Sequence, residues 1–463
     1  MLKRRWLLLV LGLVITGLGA ASAALLFKGG LDLVGRARLR IVRLGPDFLL
    51  LPLICGAGGL MAGQLVQRLA PAASGSGISQ VMRFLRNRPV AMGLEVAVVK
   101  LLAGVVAIGS GFPLGPSGPS IQMGSSVGWE MARLLRAPPA FRRMIVAAGG
   151  GAGIAAVFRA PIAGFLYTLE ELLQGARPLV MLLVMVTTFW ADIWADLLGL
   201  ANFSGLPVLS SLLRLDAQKR PGANPRGEFQ LERQVIAAVD VVPLDLVILF
   251  VVGAVVALVA ETYCRYVVGL SDLRRRMGIS LPLVMASCGV VIGLIDAVLP
   301  ADFVNRAAIR QSVAEANVDT PTALAIFLVL FLTTGLSAAA AIPGGLFAPM
   351  LTLGGTLGLA GAALLEQMGG SAPTTAVFAG MGAFIAACTR TPITATFLTF
   401  AVTRDLLILK PILVACVGSY IVASLLHRDS LFKRLISAET QYTTTAYEKL
   451  ESSQRSLPLR PKI

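Results

Sequence analysis

Long runs of apolar residues, separated by short polar segments, cover most of the chain. They lie at about 47–70, 91–109, 142–170, 177–200, 235–268, 281–299, 320–342, 346–366, 374–404 and 410–426. A run of about 20 apolar residues is long enough to cross the hydrocarbon core of a bilayer as a helix. Several of the runs are shorter or are interrupted by Gly and Pro, as membrane helices can be. The pattern predicts an all-α protein that crosses the membrane many times.

The first apolar run permits two interpretations. Three basic residues at positions 3–5 precede it, and Ala-Ser-Ala at 21–23 resembles a signal-peptide cleavage site. However, residues 6–27 form 22 uncharged positions, whereas the apolar region of a signal peptide usually has about 7–15. The length favours a retained membrane helix with its N-terminus in the cytoplasm. The arginines at 36, 38, 40 and 43 are then expected in an outer loop, against the positive-inside rule.

A polar segment near the middle divides the chain. Residues 214–234 form the longest polar interruption and predict a linker between a first membrane half at 1–213 and a second at 235–440. Residues 441–463 are polar and too few for a folded domain, so we expect a flexible tail. Each half contains a Gly/Pro-rich break that opens an apolar helix. Such breaks at matching places indicate a transporter built from inverted repeats.

The two breaks, at 111–119 and 343–349, predict a site for an anion. A helix that begins inside the membrane leaves its first N–H groups without intrahelical partners, and the helix dipole makes that end positive. A third break at 74–79 is rich in Gly and Ser and adds hydroxyl donors. Two simpler interpretations stay open. One is that the first two breaks are ordinary kinks within helices, and the other is that the third break is a loop between helices.

Composition argues against most soluble classes of protein. Hydrophobic residues make up 56% of the chain and charged residues 14%, against roughly 45–50% and 25% in soluble domains. The net charge of +15 comes from short basic clusters between apolar runs. These clusters indicate contact with anionic membrane lipid rather than nucleic acid. The five Cys form no CxxC pair, His427 is the only histidine and no nucleophile–base pair appears, so we expect no metal, no cofactor and no enzymatic activity.

Two adjacent carboxylates, Glu170 and Glu171, end the apolar run at 161–169. Ionisable groups at membrane depth are functional candidates because they are costly to bury. The alternative is that this pair marks the interfacial end of a helix.

Three short motifs give the chain a family resemblance. They read Gly-Ser-Gly-Ile-Ser at 75–79, Gly-Pro-Ser-Gly-Pro at 115–119 and Gly-Leu-Phe-Ala-Pro at 345–349. In order and spacing they resemble the filter motifs GSGIP, GREGP and GxFxP of the CLC family of chloride channels and chloride/proton antiporters. The stretch from 155 to 171 is similar to the family segment that follows the second motif. The resemblance covers most of residues 1–440.

The resemblance implies a homodimer in which each subunit has two inverted halves of tilted and broken helices and one anion pathway. It implies a bacterial inner membrane, both termini in the cytoplasm and no regulatory domain after the membrane region. By position, chloride would be bound at Ser76, Gly77, Ile78, Leu346, Phe347 and Phe432. The other matching filter positions are Gly75, Gly115, Gly118, Pro119, Gly345 and Pro349.

Departures from the family pattern decide the predicted mechanism. Ser117 stands at the position of the gating glutamate, and Pro116 replaces the Arg before it. Glu171 matches the glutamate on the inner side of the proton path, and Phe432 stands where the family has a Tyr that donates to the central ion. A Ser hydroxyl has no charge to compete with chloride and does not titrate near neutral pH. Passive chloride conduction is therefore favoured over exchange.

Three alternatives stay open. Another carboxylate could replace Ser117 and support chloride/proton antiport. Because Ser79 replaces the proline of the first motif, fluoride or nitrate could be the transported ion. The third alternative is a membrane interaction protein that transports nothing.

Overall fold

The described part of the chain is built from helices. The computed structural model describes residues 2–200, 243–300, 306–316, 318–369, 373 and 375–441. In these ranges nine helices are long and apolar enough to cross a membrane, so the predicted all-α, multi-pass fold is confirmed. The linker predicted at 214–234 lies outside the described residues, and so does the predicted tail apart from its first residue.

The described ranges contain seventeen α-helices. In chain order they are α1 (Leu2–Val42), α2 (Asp47–Leu69), α3 (Ile78–Leu85), α4 (Leu94–Ser110), α5 (Ser117–Leu134), α6 (Pro139–Phe158), α7 (Pro161–Tyr167), α8 (Pro178–Leu200), α9 (Pro243–Met277), α10 (Leu281–Val298), α11 (Arg306–Ala314), α12 (Thr320–Ala339), α13 (Phe347–Gln367), α14 (Ala376–Thr389), α15 (Pro392–Thr403), α16 (Leu409–Leu426) and α17 (431–441). A π-helical segment, Thr168–Leu173, continues α7.

The two halves repeat the same order of helices. Each helix from α1 to α8 has a counterpart eight helices later, with similar length and sequence offset. Sequence identities support this equivalence, although the two halves are otherwise divergent. Residues 115, 119, 124 and 128 are Gly, Pro, Gly and Gly, and so are residues 345, 349, 354 and 358. The repeat of two halves is thus visible in the order of the helices and in the sequence.

Two apolar runs that the sequence presents as continuous are each broken at an arginine. Arg159 and Arg390 have positive φ values of 54° and 61° and end α6 and α14. A Pro two residues later begins the next helix in each half. The guanidinium of Arg159 donates to the carbonyl of Ala195 at 2.7 Å, and that of Arg390 donates to the carbonyl of Ala423 at 2.9 Å. Each arginine therefore caps carbonyls near the C-terminal end of α8 or α16.

Glycines bring neighbouring helices into backbone contact. A Cβ on Gly124 would meet the carbonyl of Gly149, and the reverse also holds, so α5 and α6 touch without side chains. Gly354 and Gly380 make the equivalent contact between α13 and α14. Small residues at helix crossings are typical of membrane proteins, where close packing replaces the hydrophobic effect between helices.

Helix α1 extends further than the first apolar run predicted. It continues to Val42, so the arginines at 36, 38 and 40 lie on the helix and not in a loop as expected. Arg38 is buried and its guanidinium lies 3.3 Å from the carboxylate of Asp296 on α10. This ion pair joins the first helix of one half to the second helix of the other. Pairing with a carboxylate lowers the cost of placing an arginine inside the protein.

Candidate anion-binding site

The second and third motifs cross each other inside the protein. The Gly115 N–H donates to the Gly345 carbonyl at 2.7 Å, and the Gly345 N–H donates to the Gly115 carbonyl at 2.6 Å. Each motif then begins a helix, α5 at Ser117 and α13 at Phe347. The crossing therefore brings two helix N-termini to one place. Both breaks begin new helices and are not kinks within one helix.

The first motif joins this crossing through its backbone. The Gly75 N–H donates to the Ala341 carbonyl at 2.7 Å, just before the third motif. Gly77 precedes α3 with a φ of +91°, a conformation that favours glycine. Gly118 leaves no room for a Cβ against the Ser76 carbonyl. The Ser76 hydroxyl oxygen accepts the Ile78 N–H at 3.3 Å, so its hydrogen remains available to a ligand.

The starts of α5 and α13 have no side-chain caps, because their N-cap residues, Pro116 and Leu346, accept no backbone N–H through their side chains. At α3 the N-cap is a glycine, and the Ile78 N–H is accepted by the Ser76 hydroxyl. Leu346 and Phe347, at the start of α13, are 2% and 1% exposed. Buried N–H groups at a helix start and the positive end of the dipole together favour an anion. The arrangement needs no Lys or Arg side chain in direct contact with that ion.

Ser117 lies at the centre of the crossing. It is fully buried, and its hydroxyl has no hydrogen-bond partner among the described residues. A Cβ on Gly345 would collide with the Ser117 hydroxyl and with the Gly118 nitrogen. Position 345 must therefore be glycine for the two motifs to cross. Ser117 presents a neutral donor at the start of α5, where a carboxylate would present a charge.

The two adjacent glutamates have different surroundings. Glu171 is 2% exposed and accepts a hydrogen bond from the Ser430 hydroxyl at 2.7 Å. Glu170 accepts the N–H groups of Ile393 at 3.3 Å and Thr394 at 2.7 Å, so it caps the start of α15. Both lie in the π-helical segment, a type of helix that often occurs at functional sites. The simple helix-end interpretation does not fit Glu171, because its carboxylate is enclosed.

Phe432 lies near the start of α13, as the motif match predicts. Its ring centroid is 6.5 Å from that of Phe347, and both side chains are buried. The Tyr167 ring contacts Phe347 edge-on, with 5.5 Å between centroids. Three aromatic rings from α7, α13 and α17 therefore meet at the start of α13.

Lys100 is a further candidate that the sequence patterns did not single out. It is fully buried on α4, and its side-chain nitrogen donates to the carbonyls of Ala73 at 2.9 Å and Gly75 at 2.6 Å. It therefore fixes the loop that carries Ser76. The available signal was the single lysine within the apolar run at 91–109. No group of three or more metal-binding side chains occurs among the described residues.

Comparison with known proteins identifies the family. The family profile described as voltage gated chloride channel matches residues 58–424. The chain belongs to this family. CLC relatives include the H(+)/Cl(-) exchange transporter ClcA of Vibrio campbellii, 29% identical over 89% of this chain and 83% of the relative. ClcA of Cronobacter sakazakii is 30% identical over 81% of this chain and 76% of its own length.

Solved CLC structures have the same fold. A slow cyanobacterial Cl-/H+ antiporter matches with a TM-score of 0.79 and 23% identity, over 94% of this chain and 98% of the other. A CLC-type fluoride/proton antiporter matches with a TM-score of 0.73 and 17% identity, over 92% and 97%. The resemblance stated from the three motifs and the CLC-like inverted repeat are thereby confirmed. The chloride-binding roles of individual residues stay predictions.

Proposed function

We propose that this protein transports chloride across the membrane in which its helices lie. The observation that carries the proposal is the Gly115–Gly345 crossing, which brings the uncapped starts of α5 and α13 together in the buried interior. Ser76 and Ser117 add hydroxyl donors, and buried Lys100 holds the Gly75 carbonyl beside Ser76. An anion without its water shell finds N–H and O–H donors there.

We further propose that transport is passive. A carboxylate at position 117 would compete with chloride for the same N–H groups and would release them when protonated. Ser117 offers neither a competing charge nor a titratable proton. The aromatic residue at 432 also lacks the hydroxyl that the family Tyr offers. Both differences favour conduction without an obligatory proton step.

Exchange of chloride for protons is the second candidate, and two observations favour it. The curated relatives named above are described as H(+)/Cl(-) exchange transporters. Glu171, the family's inner proton-path position, is present and enclosed with Ser430. Exchange would require a proton carrier other than Ser117 between Glu171 and the outer side.

A subunit of this kind would act within a homodimer in a bacterial inner membrane, with both termini in the cytoplasm. This arrangement is proposed from the family resemblance and from the apolar helices that need lipid around them. Crosslinking in native membranes and labelling of terminal tags from either side would test both points.

Parallel flux measurements test the transport mode. The full chain is reconstituted in vesicles, and chloride efflux and proton movement are recorded together under a chloride gradient. Passive transport predicts rapid chloride efflux with valinomycin present and no proton movement coupled to it. Steady proton uptake in fixed proportion to chloride would replace the passive mode by exchange. Fluoride and nitrate were left open because Ser79 replaces the proline of the first motif, so the assay is repeated with these two anions. If no anion is transported at all, the proposed transport function is wrong.

A further inference from the structure

Tyr167 is a buried tyrosine whose hydroxyl lacks a partner. It ends α7, its side chain is fully buried, and no described residue forms a hydrogen bond with the hydroxyl. A buried polar group without a hydrogen bond destabilises the protein, so such groups usually have a partner. Tyr263 shows the usual situation in the same protein, because its buried hydroxyl lies 3.0 Å from the Thr334 hydroxyl. The unmet donor of Tyr167 therefore points to a ligand.

The surroundings of Tyr167 indicate which ligand that is. Its ring contacts Phe347, the first residue of α13, and Phe347 in turn contacts Phe432. Tyr167 and Phe432 thus lie against the same residue at the same helix start. Phe432 has no hydroxyl to offer there, whereas Tyr167 has one. Glu171, one turn beyond Tyr167, already receives the Ser430 hydroxyl.

We propose that Tyr167 donates its phenolic O–H to the anion held at the start of α13. In the family, a Tyr near the last helix supplies a hydroxyl to this ion, and Phe432 stands at its position here. In this chain Tyr167 on α7 would supply the hydroxyl from the other side of the Phe347 ring. The inference rests on the proposed function, since it names a further ligand of the same chloride. A phenol is a neutral donor that cannot compete with the ion, so it supplies binding without a gate.

Calorimetric titration of the detergent-solubilised full chain with sodium chloride tests this role. Tyr167→Phe should weaken chloride affinity about two- to tenfold, the usual value of one hydrogen bond. Tyr263→Phe removes a buried hydroxyl away from the site and serves as the matched control, with unchanged affinity expected. The double variant Tyr167→Phe, Phe432→Tyr should recover part of the lost affinity, because the hydroxyl returns on the opposite side of Phe347.

Wild-type affinity in Tyr167→Phe, or an equal loss in Tyr263→Phe, would overturn the inference. Should Tyr167→Phe not fold, 3-fluorotyrosine placed at 167 by nonsense suppression gives a second readout. Its fluorine resonance should shift during the chloride titration, and a resonance that stays fixed while calorimetry detects binding also overturns the role. If wild-type protein binds no chloride at all, the proposed function fails, and that result is distinct from both of these.

Discussion

Gly115 and Gly345 exchange both of their backbone hydrogen bonds, at 2.7 and 2.6 Å, and they occupy equivalent positions in the two halves of the chain. Such a pairing of equivalent residues places the pseudo-symmetry axis of the repeat at this contact. The helix starts on either side, at Ser117 and Phe347, are equivalent as well. The candidate anion site thus lies between the two halves, and neither half contains it alone.

Gly345→Ala should disrupt this interface. The added methyl group would collide with the Ser117 hydroxyl and the Gly118 nitrogen, so the motifs could not cross as they do. Overpacking of this kind costs about 1–3 kcal/mol. We expect loss of chloride binding and a lower melting temperature. Gly361→Ala, on α13 just after the motif and with open space at its Cβ, is the control. Equal behaviour of the two variants would contradict the role of the crossing.

Ser117→Glu should install a gate that depends on pH. A glutamate has an ordinary pKa of about 4.3, and burial raises it. Above that pKa the carboxylate carries charge and occupies the N–H groups; below it the charge is lost and chloride can enter. Flux in the variant should therefore be slow at neutral pH and recover as the pH falls, whereas wild-type flux should stay nearly level between about pH 4 and 7. Stopped-flow chloride efflux across this range is the measurement, with Ser117→Gln as the uncharged control of similar size.

Glu171→Gln distinguishes the two transport modes. If transport is passive, this variant should move chloride at nearly the wild-type rate, because no proton step depends on the carboxylate. The amide oxygen of the glutamine can still accept the hydrogen bond that Ser430 donates to Glu171 at 2.7 Å, so the variant removes the titratable proton and keeps this contact. A large fall in chloride flux together with loss of proton movement would instead favour exchange.

Lys100→Met should weaken chloride binding. The change leaves the Ala73 and Gly75 carbonyls without their donor. A buried acceptor without a hydrogen bond costs about 1–3 kcal/mol, so the loop that carries Ser76 should shift, and we expect a fall in affinity of about tenfold. Calorimetry is the test, and Lys410→Met, at an exposed position, is the control. Equal affinity in the two variants would show that Lys100 does not position the site.

Ser76→Ala should reduce chloride affinity by about 0.5–1.5 kcal/mol, the net value of one hydrogen bond. Its oxygen already accepts the Ile78 N–H, which leaves its hydrogen for the ion. Ser287→Ala, on the exposed side of α10, should have no effect on binding. An unchanged dissociation constant for Ser76→Ala would exclude the hydroxyl from the site.

Local sequence patterns predicted the helix starts well, because Gly and Pro act through the backbone of the same segment. The breaks before Ile78, Ser117 and Phe347 are all helix starts. Apolar composition predicted the membrane fold for a similar reason. A long uncharged segment forms a membrane helix because its backbone hydrogen bonds are all made within the segment, whichever helices it later packs against.

Partners distant in sequence could not be predicted from one chain. The apolar runs at 142–170 and 374–404 were predicted to be continuous, but each is broken at an arginine. Arg159 and Arg390 donate to carbonyls on α8 and α16, and these partners are distant in sequence. Arg38 was expected in a loop, and its position follows from Asp296 on a distant helix. Tyr167 and Lys100 were missed because apolar neighbours in the sequence do not show which polar side chains are buried in the interior.

The cap that Glu170 places on α15 has no counterpart in the other half. The equivalents of Glu170 and Glu171, counted along the repeat, are Ala401 and Val402, so the backbone repeats while the carboxylates do not. Because the halves are inverted, this carboxylate pair has no equivalent at the opposite end of the repeat. The protein therefore has a chemical asymmetry that its backbone lacks. A compound that binds this pair would act from one side of the membrane, and vesicles with mixed orientation would contain two populations that respond to it differently.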